Sequence, residues 1–406
     1  MSGAVVTVKV SQASAVRLVA SRGIDFSNPV KTALIALDEF QLARGEFTGL
    51  DPDARYFVSV ENASGVRDPS YVGSFRTPPS GPHSFGFASA SCSDTGSNGL
   101  IFDRIRERVE ADEISFFMHT GDIHYRGIDT NEELRFHAAF DEVFLQPRQN
   151  ALWRICPMPY MWDDHDYGPN DSDRDSPSRQ AAIAAYRRRV PSYPLVRSGA
   201  EDAPYYSFVR GRVRFIVTDV RSERAQKGEF NSADPQQVAF TATQRDWLFA
   251  EMLAAQAADQ AIIWVNTKPW VADITNGADH WGGYDAARQE IASFINTNSL
   301  NRRVAILSGD MHAVAYDDGT SVNNPAGLRV MQAAPLEQTR SAKGGPYTTG
   351  PFPTSGTTIS GYGVIDVTDE TGSGDLGVRF RGVLVDRDTG AETTVIDQSF
   401  DLGANL

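Results

Sequence analysis

The chain has 406 residues, 41% of them hydrophobic and 10% aromatic, with a formal net charge of −14, a composition with room for a sizeable core and two or three domains of roughly 150 residues each. No run approaches the roughly 18 apolar residues of a membrane helix, and no Lys/Arg-rich stripe offers nucleic acid a basic face. Only Cys92 and Cys156 are present, which excludes a disulfide scaffold but allows one bridge.

The first residues show neither a basic segment followed by an apolar one nor a twin arginine. The default expectation is therefore the cytoplasm, or the periplasm or cell exterior if an export signal has been removed. Residues 1–80 read as a small antiparallel β-sandwich, because alternating runs at 6–10, 16–19 and 56–60 are separated by Gly, Pro, Asp and Asn. Pro78, Pro79, Ser80, Gly81 and Pro82 make a short stiff linker, and a second domain is expected over 84–406. In that part strands alternate with helices, and the strands end in polar clusters. The pattern predicts a strand over 84–91 ending at Cys92, a helix over 99–110, and a strand over 114–119 ending at Gly121 and Asp122. A helix over 132–144 comes next, with Leu134, Phe136, Ala139, Phe140 and Val143 on one side, and then a strand over 157–162. Strands are expected at 205–209 and 213–219, the second leading to Asp219 and Arg221. Thr243 is the expected N-cap of a helix through Ala257. A buried strand over 261–266 ends at Lys268, a helix covers 284–297, and a strand over 303–307 ends at Asp310 and His312. The tail from 361 to 402 alternates like antiparallel strands; composition leaves open whether 346–360 is a lid.

The densest chemistry lies at 161–171, Met-Trp-Asp-Asp-His-Asp-Tyr-Gly-Pro-Asn-Asp. Asp163, Asp164 and Asp166 crowd around His165 with no Lys or Arg among them. Like charges held this close raise one another's pKa values, so a folded chain keeps them ionised only with metal ions or basic side chains nearby. The plain alternative is a solvated acidic turn. Four strand ends thus present Cys92, Asp122 with Tyr125, Asp164 with His165, and Asp310 with His312. A thiolate, a phenolate and an imidazole suit a trivalent or borderline transition metal, whereas carboxylates suit Ca²⁺, Mg²⁺ or Mn²⁺. Two kinds of metal position are implied. A carboxylate such as Asp122 can bridge ions about 3.5–4 Å apart, the spacing at which paired metals clamp both oxygens of an in-line displacement.

Six spaced motifs carry a resemblance: Ala-Ser-Cys at 90–92, Gly-Asp-x-x-Tyr at 121–125, Trp-Asp-Asp-His-Asp at 162–166, Asp-x-Arg-x-x-Arg at 219–224, Trp-x-Gly-Tyr-x-x-x-Arg at 281–288 and Gly-Asp-x-His at 309–312. Together they resemble the alkaline phosphatase D (PhoD-like) branch of the calcineurin-like metallophosphatases, over residues 85–367, and the N-terminal sandwich, fibronectin- or immunoglobulin-like, is similar to one this family carries. The resemblance implies an α/β, two-sheet αββα core and hydrolysis of phosphate monoesters or diesters by a metal-bound hydroxide. It implies Fe³⁺ with Ca²⁺, with Zn²⁺, Mn²⁺ or Mg²⁺ as alternatives. Carried over by position, Cys92, Asp122, Tyr125 and His312 would hold the iron, and Asp122, Asp164 and Asp310 the second ion. His165 stands where the superfamily keeps a histidine that contacts phosphate and protonates the leaving group. The superfamily usually opens its site with Asp-x-His; here Ser91-Cys92-Ser93-Asp94 stands instead, so the first metal depends on a thiolate.

Other residues have plainer readings. Cys156 lies in an apolar run and reads as core; His119 and His137 read as structural, and His83 lies in the linker. His124 neighbours the site and is open to substrate contact. Arg221 and Arg224 are forked donors suited either to phosphate oxygens or to Asp219 and Glu223; the phosphate reading is favoured for Arg221 and is weaker for Lys268. Arg187, Arg188 and Arg189 read as a solvated helix face. A phospholipase or phosphotriester hydrolase on the same site, and an inert binding protein docking a partner through the sandwich, are the competing functions.

Overall fold

Short period-two runs fold the first part of the chain into β1 (Ala4–Lys9), β2 (Ala15–Ser21), β3 (Val30–Lys31), β4 (Ile35–Ala36), β5 (Leu42–Phe47), β6 (Arg55–Asn62) and β7 (Arg67–Arg76). The structure is a computed structural model that describes residues 3–354 and 358–403. β1 pairs with β5, and β3-β2-β6-β7 form a second sheet with β4 also on β2. Val16, Leu18, Ala20, Ala43, Phe47, Tyr56, Val58 and Val60 face inward between them as one apolar core. This is the N-terminal β-sandwich. Backbone and guanidinium contacts pin it to the larger C-terminal part of the chain: Ser74 N–H donates to Arg154 O at 2.8 Å, and Arg44 donates to Arg187 O at 3.0 Å and Val190 O at 2.9 Å.

The next elements in chain order are β8 (Phe85–Ala90), α1 (Leu100–Glu110), β9 (Phe117–His119), α2 (Glu133–Phe144), α3 (Pro147–Trp153), α4 (Asp164–Tyr167), α5 (Arg179–Arg189), β10 (Tyr206–Arg210), β11 (Val213–Val217), α6 (Ala242–Ala257) and β12 (Ala261–Val265). After these come α7 (Asp285–Thr297), β13 (Val304–Ser308), β14 (Val314–Asp317), β15 (Arg329–Gln332), β16 (Thr349–Phe352), β17 (Ile359–Thr368), β18 (Leu376–Asp386) and β19 (Glu392–Leu402). One sheet runs β10-β11-β12-β13-β15-β14-β16 and the other β19-β18-β17-β8-β9. β11, β12, β13 and β15 are mutually parallel, as are β8 and β9.

Strands buried on both faces read as unbroken apolar runs, and their alternation sorts the layers. Phe215 and Val217 of β11 face Phe87, Ile365, Val378 and Phe380 of the other sheet, while Ile216 between them turns outward against α6 and α7 with Trp264 and Ile306. On the far side, Ala88, Ala90 and Val364 pack against Ile101, Phe102 and Ile105 of α1. The result is the αββα sandwich. Parallel strands whose carboxyl ends point the same way gather whatever lies just past those ends, and so the topology builds a site there.

Some local expectations are corrected. Residues 157–162 form no strand, because Pro157 and Pro159 lack the N–H groups a ladder needs; the segment instead accepts hydrogen bonds from Phe117 and His119 of β9 at 2.9 Å each. Helix α6 starts earlier than expected, with Thr241 rather than Thr243 at its N-cap. Within 346–360, Thr349–Phe352 is a sheet strand paired with β14, and residues 355–357 lie outside the described part. The arginines of α5 are not a solvated face: Arg189 is buried against Asp141, and Arg188 reaches Asp38 and Glu39 of the sandwich. Cys92 and Cys156 are both free and buried.

Candidate metal centre

Three expected ligands sit just past strand ends in left-handed backbone: Cys92 at φ 63°, Asp122 at φ 55° and Asp310 at φ 60°. Non-glycine residues in this region cost of order 1–3 kcal/mol each and persist only where the surroundings hold them. The surroundings are identifiable. Gly121 (φ 97°) lets its loop press on the next one, since a Cβ there would lie 2.6 Å from the backbone N of Asp163. Asp166 then fastens the two loops, accepting N–H groups from Asp122 at 2.5 Å, Ile123 at 2.6 Å, His124 at 3.3 Å and Asp163 at 3.1 Å.

The donor atoms converge in three overlapping groups that share Asp122. Ligand atoms of Cys92, Asp122 and His312 lie within 4.8 Å of one another, and the same holds for Asp122, Asp163, Asp164 and Asp310 and for Asp122, Asp164 and His165. Tyr125 completes the first group: its hydroxyl donates to Asp122 Oδ2 at 2.9 Å and lies 3.1 Å from His312 Nε2. His312 is aimed by its other nitrogen, Nδ1, which lies 2.5 Å from the Thr339 carbonyl, the usual way a ligating imidazole is oriented. Ser91 Oγ, 3.1 Å from Cys92 Sγ, accepts the Asp310 N–H at 3.1 Å.

The electrostatics are those of a site short of positive charge. Burial, followed by Asp164 and Asp163, pushes Asp122 well above the ordinary carboxyl value. Burial and then Asp122 likewise raise the Cys92 thiol and the Tyr125 phenol, while burial lowers His312. Burial is the largest single influence on Asp164 and Asp310 and pushes both up, but it is outweighed by neighbouring positive groups acting together, Arg221, His165 and Lys268 at Asp164 and Lys343 with Lys268 at Asp310, so both are held low. Three buried carboxylate oxygens, Asp163 Oδ2, Asp164 Oδ1 and Asp310 Oδ2, have no hydrogen-bond partner among the described residues, although Asp164 Oδ1 lies 3.3 Å from Arg221 Nη2. Orphaned anionic oxygens around a shared carboxylate fit a bound cation, which would reverse every upward shift above. The thiolate, phenolate and imidazole on one side and the oxygens on the other fit two different ions.

Arg221 is placed differently from its expected role in substrate binding. It is fully buried, with Nε on Asp163, Nη1 and Nη2 each 3.0 Å from the two oxygens of Asp279, and Nη2 also near Asp164. Its fork is taken up by carboxylates and has none left for phosphate. Asp279 also accepts from Arg224 at 2.6 Å and from Lys268. Asp279 is absent from the sequence-based candidates; the one signal for it is its place two residues before Trp281, which opens one of the six motifs. His124 is buried against Phe140 and Phe136 rather than open to substrate, and burial pushes its ring down to about 3. The carboxylate of Asp166 is taken up by the amides; the His165 ring lies tilted over Tyr125, centroids 4.1 Å apart, and the His165 backbone N–H reaches Asp122 Oδ1 at 3.2 Å.

Known proteins share this sequence pattern and this fold. The model of the PhoD-like phosphatase family matches residues 87–333. Alkaline phosphatase D of Bacillus subtilis (strain 168) is 23% identical over 310 residues, 66% of this chain and 52% of that protein, so this chain spans about half the length of the curated relative. The structure of PhoD aligns with a TM-score of 0.72 at 16% identity, over 96% of this chain and 86% of that one. A purple acid phosphatase from yellow lupin (Lupinus luteus) seeds aligns with a TM-score of 0.59 at 12% identity, over 99% of this chain and 72% of its own. At these identities the structural likeness speaks for the fold.

Proposed function

The chain belongs to the PhoD-like phosphatase family, and from that premise we propose that it is a metal-dependent hydrolase of phosphate monoesters or diesters. The observation that carries the reading is the convergence on Asp122 of two unlike donor sets, one ending in orphaned carboxylate oxygens. Cys92, Asp122, Tyr125 and His312 are the proposed holders of a trivalent ion, Fe³⁺, and Asp122, Asp164 and Asp310 those of Ca²⁺, with Asp163 Oδ2 free to join them. When bound, such ions supply Lewis acidity and an activated water.

The chain's own residues do the rest. Asp122, the residue common to both donor sets, would be the one shared between two ions; its Oδ2 meets Tyr125 and Cys92, its Oδ1 accepts the His165 backbone N–H, and Asp166 holds its left-handed backbone. Arg221 offsets part of the charge on Asp163 and Asp164; Asp164 is held low, while burial still leaves Asp163 raised. His165, half-buried beside Asp122 and tilted against the Tyr125 ring, is the proposed proton donor to the leaving oxygen and a contact for phosphate.

The test is elemental analysis of the purified protein joined to assays with a nitrophenyl monoester and diester. Two ions per chain with chelator-sensitive turnover support the proposal. A metal-loaded protein that hydrolyses neither ester would leave the inert-binding alternative standing.

A further inference from the structure

We propose that Lys343 binds the phosphoryl group of the substrate, a step that rests on the phosphoesterase reading above. Among the described residues, Arg221, Arg224, Lys268 and Lys343 pair with carboxylates of the cluster itself, while Lys227 pairs with Asp171 at its edge. Arg221, Arg224 and Lys268 have side chains exposed by 0%, 1% and 3% and are all spent on Asp279. Lys343 is 32% exposed and makes a single ion pair among the described residues, with Asp310 Oδ1 at 2.7 Å. A phosphate ester arriving with about two negative charges thus meets in Lys343 a partly exposed ammonium on a proposed ligand, whereas Lys227 is paired one carboxylate further out, with Asp171, and the guanidinium groups of Arg221 and Arg224 are already engaged.

The segment that carries Lys343 is built to deliver it. Upstream, the Thr339 carbonyl holds His312 and Arg340 donates to Pro353 O at 2.5 Å. Downstream, Gly345 N–H donates to Val271 O at 2.7 Å, and Gly344 at φ 80° passes so close to Val271 O that a Cβ would lie 2.6 Å from it. The chain is fastened on both sides of Lys343, and only the four-carbon stem is left to move. Asp310 is a proposed ligand whose other oxygen has no partner among the described residues. With an ion held there, Asp310 would be shared and the Lys343 ammonium would be displaced from it, while the stem would keep the ammonium close by. The group then best placed to satisfy it is an oxygen of the substrate phosphate. A permanent counter-ion for Asp310 would need no exposure and no stem free to swing.

The test compares metal-loaded wild type with Lys343→Gln and Lys343→Arg, titrating each with inorganic phosphate by calorimetry and measuring metal content alongside. Lys343→Gln should bind phosphate about 10- to 100-fold more weakly, the worth of one hydrogen bond to a charged group, with KM rising more than kcat falls and the metal content unchanged. Lys343→Arg should recover most of the affinity. Equal phosphate affinity in wild type and Lys343→Gln would overturn the proposal, and so would loss of a metal equivalent from Lys343→Gln, which would make Lys343 a support for Asp310. Wild-type turnover of either nitrophenyl ester keeps these failures separate from failure of the phosphoesterase reading, which would show as a metal-loaded wild type without turnover.

Discussion

The carboxylate of Asp166 accepts the backbone N–H of Asp122 at 2.5 Å, joining two loops 44 residues apart in the chain. Three further buried amides share that carboxylate. Asp166→Ala would strand these donors away from water, so the variant should lose about 3 kcal/mol or more of unfolding free energy in urea, and metal binding with it. Asp166→Asn keeps one acceptor oxygen and should fall between. A stable Asp166→Ala protein with full metal content would show that the loops hold themselves.

Asp279 makes a similar case on the other flank. It is the common partner of Arg221, Arg224 and Lys268, and removing one member of a buried ionic cluster leaves uncompensated charge. Asp279→Asn should therefore cost about 3–5 kcal/mol, read as a lowered denaturant midpoint. A midpoint within error of wild type would mean that water already screens the three cations.

Why the loop-fastening role of Asp166 and the whole of Asp279 escape a reading of the chain, while Cys92, Asp122 and Asp310 stand out as candidates, is a matter of range. Apolar runs locate strand ends, and each of these three proposed ligands comes within two or three residues of its strand, so period and spacing suffice to single them out. The two-sheet core is legible for the same reason: β11, β12 and β13 are largely apolar runs between polar ends. Arg221 is legible as a guanidinium at a strand end, but its partners, Asp163 and Asp279, each lie 58 residues away, and nothing local says which carboxylate claims it. Lys343 sits between irregular turns with no period at all, and its meeting with Asp310 depends on how two loops cross. The run at 157–162 shows the opposite failure: its apolar content is right for a strand, and two prolines take away the donors that would make it one.

Asp122→Asn should lose both ions and all turnover together, since one shared carboxylate serves both donor sets. Elemental analysis checks this directly. One ion retained at full occupancy would mean that Asp122 serves a single position.

Tyr125 on a trivalent iron should give a visible charge-transfer band, a property of a phenolate on a redox-active transition metal. Tyr125→Phe should abolish the band while Cys92, Asp122 and His312 remain to hold an ion. Ser91→Ala, which removes the hydroxyl 3.1 Å from Cys92 Sγ, should leave the phenolate band in place and alter only features that arise from sulfur. An active but colourless wild type would point to Zn²⁺ or Mn²⁺ instead.

His165 separates from the ligands by what its loss should leave intact. It stands between Asp164 and Asp166, meets Asp122 through its backbone N–H and Tyr125 through its tilted ring, and keeps a ring nitrogen within 4.8 Å of Asp122 and Asp164, so the roles of proton donor and ligand are separated by experiment. Proton donation by a placed side chain is commonly worth about 10²–10⁴-fold in rate, whereas losing an ion removes the activated water altogether. His165→Asn should accordingly retain both ions and lose turnover unequally: less for nitrophenyl esters, whose leaving group departs without a proton, and more for alkyl esters, whose leaving oxygen needs one. The ratio of the two losses is the diagnostic, because a general defect in folding or metal content scales both substrates alike. Equal losses accompanied by a missing ion would make His165 a ligand, with its ring turned from the substrate toward Asp164.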